Sequence, residues 1–210
     1  MVFRVYVEKK QGYDVEARQL AQELTEVLGV TGLTGVRLIN RYDVEGIDRD
    51  LFDRSVPVVF SEPPVDDVVY ELPDFDDAAV FAVEYLPGQF DQRAESAGEC
   101  IQLISQGVRP AVRTARIYAL SGSLGHDQVE AVKRYVINPV EAREASLATR
   151  DTLRMEVADP KPVEVVAGFD ELDEEGLRRF IDERGLAMDL ADAQVCQGYF
   201  RSEGREPTIT

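Results

Sequence analysis

Phe3, Val5 and Val7 alternate with polar neighbours, the two-residue period of a half-buried strand. The period then changes. Ala17, Leu20, Ala21, Leu24, Val27 and Leu28 recur at helical spacing and predict one apolar helix face. Gly12 supplies the turn between the two elements, and Asp14 is the expected N-cap, with Glu16 in the first turn suiting the helix dipole. Gly29 and Gly32 end the helix. A second strand is expected at residues 36–39, a short helix at 48–54, and a closing extended segment at 56–60.

The same series begins again at Ala79. RVYVEKKQGYDVEARQLAQEL from Arg4 aligns with AVFAVEYLPGQFDQRAESAGECI from Ala79, so that Glu8 matches Glu84, Gly12 matches Gly88 and Ala17 matches Ala94. In the second copy Asp91 is the cap, and Ala94, Ala97, Ile101 and Ile104 give the apolar face. A strand at 115–118, a helix at 126–136 and an extended segment at 136–140 complete it. The copies span residues 1–72 and 79–145, and the proline- and acid-rich stretch 61–77 reads as their connector. The fold class expected is α+β: two tandem β-α-β-β-α-β (ferredoxin-like) units whose sheets join as an intramolecular pseudo-dimer, which removes exposed edges.

Residues 146–210 read as a separate linker domain, helical from about 170. A strand is expected at 152–157, and Pro160 and Pro162 break the pattern. Asp173, Glu174 and Glu175 open one helix, Gly185 ends it, and a second helix runs from Asp189 to Phe200. The polar tail beyond it is expected to carry no closing element.

Composition narrows the function classes. The 210 residues carry a net charge of −17, which repels phosphate backbones and anionic lipid, so neither nucleic acid nor a membrane surface is an expected partner. The start lacks a signal-like apolar run, and Cys100 and Cys196 read as reduced thiols, so a cytoplasmic location is expected. The single histidine, His126, has no second histidine or nearby cysteine with which to hold zinc. The LSGSLGH run around Gly122 and Gly125 lacks the Lys-Ser/Thr of a nucleotide loop. The paired carboxylates Asp66-Asp67, Asp76-Asp77 and Glu174-Glu175 read as solvated charge. No catalytic, cofactor-binding or metal-binding residue is assigned.

The densest polar chemistry lies in the turn 87–93. There Pro87, Gly88, Gln89, Asp91 and Arg93 surround a helix start, whose backbone N–H donors and Arg93 would suit an anion. The alternatives are a capped turn with Arg93 paired to a carboxylate, and an inter-domain contact, which is the reading given to them.

Several long runs carry a family resemblance: RVYVEKKQGYDVEA, LINRYDVEGI, VFSEPPVD, VFAVEYLPGQFDQRAESA, YVINPVEAREAS and GLAMDLAD. They resemble the N-terminal region of phosphoribosylformylglycinamidine synthase in its large single-chain form. The resemblance implies a module similar to a dimer of the small separate subunit, followed by a helical linker domain. It implies further that synthetase and glutaminase domains follow, as partners of the same enzyme, and that ATP and Mg serve that full-length ligase of purine biosynthesis. This portion would hold no cofactor, would be inactive alone and would scaffold the catalytic domains. The alternative is a stand-alone scaffolding or regulatory binding module.

Overall fold

The alternation at Phe3 forms β1 (Val2–Lys9). In the computed structural model, which describes residues 1–154 and 162–209, the chain divides into two units, Met1–Met155 and Glu156–Thr210. The first continues through α1 (Val15–Glu26), β2 (Leu33–Glu45), α2 (Arg49–Ser55), β3 (Asp66–Val69) and β4 (Ala79–Tyr85). It then adds α3 (Gln92–Ser105), β5 (Ala111–Gly122), α4 (His126–Val136) and β6 (Ala142–Ala145). All six strands form one sheet in the order β3-β1-β2-β5-β4-β6, and every pairing is antiparallel. The long central ladder joins β2 to β5, with Ile39 opposite Ile117 at its middle.

Side chains alternate across this sheet, so each strand feeds two layers. On one face, Val5, Val7, Tyr42 and Val44 pack with Phe52, Phe60, Ala97 and Ile101. On the same face, Leu24 and Val30 pack with Phe81, Tyr118, Leu120 and Val132. The helices are therefore exchanged between the halves of the unit. Helix α3 completes the core over β1 and β2, while α1 completes the core over β4 and β5. On the opposite face no helix of this unit packs, among the described residues; Tyr6, Ile39, Ala82, Ala115, Ile117 and Ala145 form its apolar centre, flanked by Leu72 and Phe75.

Several expectations are corrected. Each half of the unit contributes three strands, in the order β-α-β-α-β, rather than the four of a ferredoxin-like unit. The reason lies in β2: the alternation does not stop at Ile39 but runs unbroken through Tyr42 and Val44 to Glu45, with no turn residue to divide it. Val56–Phe60, expected to be extended, is a π-helical turn closed by Ser61 N–H donating to Val56 O at 3.1 Å. Pro57 lacks the N–H that would continue α2, and the widened turn buries Val56 and Phe60. Residues 137–140 are likewise not a strand; α4 ends at Val136 and the pairing segment is β6. The connector supplies the edge strand β3, and within it Asp66 is buried, paired with Lys9 at 2.8 Å and accepting from Glu62 N at 2.7 Å, not solvated. Asp14 occupies the N-cap position of α1 without capping by its side chain, which instead accepts from Gly12 N at 2.9 Å. Val27 follows the end of α1 and is exposed.

One glycine is required by both its backbone and its neighbours. Gly122, at the end of β5, has φ +123, and a Cβ there would lie 2.1 Å from Gly32 O and 2.9 Å from Thr34 N. Both neighbours are backbone, so nothing yields cheaply. Gly122→Ala is expected to cost at least about 1–3 kcal/mol from strain alone. A urea midpoint unchanged from wild type would refute this.

In the second unit, a 3-10 turn (Phe169–Glu171) leads to α5 (Glu174–Arg184) and α6 (Leu190–Glu203). Asp173 caps α5 and Asp189 caps α6, and Gly185 and Gly204 end them in the left-handed conformation. Phe169, Leu177 and Ala193 form its core with Val166. The tail does close, against expectation: Val166 N donates to Pro207 O at 2.9 Å and Ile209 N to Glu164 O at 3.0 Å. The strand expected at 152–157 is absent from 152–154, and its remainder, like Pro160, lies outside the described residues. Residues 146–154, expected in the linker domain, belong to the first unit.

Candidate functional site

The five residues singled out in the turn 87–93 do not form one surface. Asp91 turns inward. Its Oδ1 caps α3 by accepting from Ala94 N at 2.9 Å, and its Oδ2 accepts from Thr114 Oγ1 at 2.7 Å and Thr114 N at 3.2 Å. Gln89 donates to Val140 O at 3.3 Å, and Gly88 takes φ +90 in the turn. Pro87, Gly88 and Gln89 line one cleft of about 520 Å³, and Phe90 projects at its rim, 71% exposed. Arg93 lies on the other side of Asp91, in a separate cleft of about 510 Å³ on the helix face of the sheet. Asp91 is thus the partition between two sites that sequence reading took for one.

Register explains the floor of the second cleft. Asn40 faces Arg116 and Tyr42 faces Thr114 across the β2–β5 ladder, and all four side chains lie on the helix face. Arg116 is held by Glu16 of α1, with both its terminal nitrogens within 2.6 Å of the carboxylate. Burial raises the Tyr118 hydroxyl above its ordinary value, so it stays protonated at neutral pH. Among the described residues, Arg93 donates only to Tyr42 Oη, at 3.3 Å.

A second polar centre, on the helix-free face, was not singled out in the sequence. Arg41 and Asp43 are each 1% exposed. Asp43 accepts from Arg4 through both oxygens, at 2.5 and 3.0 Å, and lies 3.2 Å from Arg41 Nε. That Arg41 nitrogen is in ion-pair range but not aligned for a hydrogen bond. Glu84, 7% exposed, receives Arg143 at 2.9 Å and also Arg150. Four guanidinium groups thus meet two carboxylates. Burial lowers Arg41 from its ordinary value, and Arg4 and Arg150 push it the same way, against Asp43. It remains a cation at neutral pH.

Residues 146–153 cross this centre as a strap. Arg41 donates to Ser146 O at 2.7 Å, Arg4 to Leu147 O and Ala148 O at 3.0 Å each, and Arg113 to Leu153 O at 3.1 Å. Glu45 receives Leu153 N–H at 2.8 Å, a bond that holds its carboxyl below the usual range. Arg41 and Asp43 alternate with Tyr42 and Val44, a pattern that reads as a solvent face. Only the strap, distant in sequence, makes it an interior.

His126 is exposed at the start of α4. Cys100 and Cys196 are free. Among the described residues there is no group of three or more metal-ligating side chains, and no helix is long and apolar enough to cross a membrane. No protein-family model and no curated protein sequence matches the chain.

Proposed function

We propose that the chain is the non-catalytic N-terminal portion of a phosphoribosylformylglycinamidine synthase, a scaffold for synthetase and glutaminase domains that use ATP, Mg and glutamine in the cytoplasm. The observation that carries this reading is the strand order. Each half places its third strand at the edge, its first strand next and its second strand at the centre, so β2 meets β5 as two like subunits would. That arrangement supports a tandem duplication acting as an intramolecular pseudo-dimer, in keeping with the aligned runs from Arg4 and Ala79. A small helical unit follows it, in keeping with a linker. Asp91 on the helix face, and Asp43 and Glu84 on the other, tie elements together, as suits a rigid support. Confining a reactive intermediate between active sites needs fixed geometry and excluded water.

The coding sequence beyond Thr210 tests this directly. Continuation into synthetase domains is expected, and a stop codon there would favour a separate binding module instead. Within the full-length enzyme, the exposed Phe90 at the tip of the turn 87–93 is the proposed contact with a catalytic domain. Phe90→Ser is expected to uncouple glutamine hydrolysis from product formation several-fold, while changing stability by no more than about 0.5 kcal/mol, as an exposed position should. Unchanged coupling in the purified variant would remove the tip from the interface.

A further inference from the structure

The cleft on the helix face is lined by an exposed arginine, Arg93, that no carboxylate pairs with among the described residues. The chain has 40 acidic and 23 basic residues, and most of its arginines pair with a carboxylate, although Arg113 and Arg201 bond to backbone carbonyls instead. Yet Arg93 makes no ion pair among the described residues, and its single bond is to the neutral Tyr42 hydroxyl. Its position is also unfavourable, because it is the second residue of α3, at the positive end of the helix dipole. The corresponding second residue of α1 is Glu16, which suits the dipole and pairs with Arg116. The nearby carboxylates are committed elsewhere: Asp91 to Ala94 and Thr114, Glu84 to Arg143 and Arg150. Glu141, which lines the same cleft, makes no ion pair among the described residues. On the floor beneath, the Asn40 side-chain amide makes no hydrogen bond among the described residues, although it is half-buried. The cleft therefore presents a planar cationic fork, an amide free to donate and accept, and the Ser96 hydroxyl, in a volume of about 510 Å³. That volume falls in the range of small-molecule sites.

We propose that this cleft binds a polar small molecule through one oxyanion group, a carboxylate or a phosphate ester, seated on Arg93 and steadied by Asn40. The guanidinium fork matches either group in a bidentate pair. The site is independent of the scaffolding role and of the Phe90 tip, since Asp91 separates the two clefts.

The 210-residue chain itself serves for the test. It is titrated with acetate and, separately, with inorganic phosphate, followed by the Arg93 Nε–Hε NMR signal and by calorimetry. Saturable binding is expected, with a Kd of order 1 mM for such minimal probes. Tighter acetate binding would identify a carboxylate ligand, and tighter phosphate binding a phosphate ester. Arg93→Gln should weaken binding at least tenfold, Arg93→Lys less than that, and Asn40→Ala several-fold. Because Arg93 opposes the helix dipole, Arg93→Gln should leave the thermal midpoint unchanged or slightly raised. The proposal fails if neither probe saturates by roughly 50 mM, fifty times that Kd. It also fails if Arg93→Gln binds as wild type does, or if the control Arg134→Gln loses as much affinity as Arg93→Gln.

Discussion

Asp43→Ala is expected to lower the stability of the first unit by about 3–5 kcal/mol, the scale of a buried charge stripped of its partner. Asp43 is the carboxylate that both Arg4 and Arg41 face; Arg41 is buried and Arg4 largely so, and neither can lose its proton. Removing it would leave four guanidinium groups sharing Glu84 alone. Urea denaturation reads the loss. Tyrosine fluorescence suits the purpose, because Tyr199 is the one tyrosine of the second unit. A companion variant separates charge from strap. Arg4→Met, Arg41→Met and Asp43→Leu together remove the buried charges in favour of apolar volume, a change that is often neutral or stabilising. They also remove the donors to Ser146, Leu147 and Ala148 carbonyls. The triple variant should therefore recover most of the global stability while amides of 146–153 exchange faster with solvent. If Asp43→Ala shifts stability by less than about 1 kcal/mol, the four-to-two charge count does not describe the centre.

The second large effect concerns the exchanged helices. Leu24→Ala in α1 and Ile101→Ala in α3 each empty a fully buried site, and each should cost about 2–5 kcal/mol. The more telling expectation is cooperativity. Leu24 packs with Phe81, Tyr118, Leu120 and Val132, and Ile101 with Val5, Val7, Tyr42 and Val44, so each half's core is completed by a helix of the other. Either substitution should lower the stability of the whole first unit in one transition, with circular dichroism and tyrosine fluorescence coincident. Residues 1–72 alone should not fold. Two separable transitions in the Leu24→Ala variant would show that the halves are independent after all.

These two features mark where sequence reading stopped. The strands and helices were legible because their signals are local: the alternation at Val5 and Val7, the spacing of Leu20 and Leu24, the caps Asp91, Asp173 and Asp189. The β-α-β-β-α-β order was not right, because the second strand was ended at Ile39, whereas β2 continues through Arg41 and Asp43 to Glu45. The extended reading of Val56–Phe60 followed β-branched propensity, which the core around Phe52 and Phe60 overrides in favour of a π turn. The turn 87–93 was found, but its division by Asp91 was not, since Thr114 lies 23 residues away and no local pattern announces the bond. The buried centre at Asp43 left no local trace, for its cover comes more than 100 residues later.

The exchange of helices also sets an order of events at the ribosome. Leu20 and Leu24 emerge early, but the surface that covers them includes Val132, 108 residues further on. At about 5–20 residues per second, that face of α1 waits roughly 5–20 seconds for its partner. During this interval the nascent chain presents a bare apolar stripe and a β2 whose edge towards β5 is unpaired. Holding chaperones would have their natural substrate there, and slowing translation between α1 and α4 would lengthen the vulnerable period without altering the finished molecule.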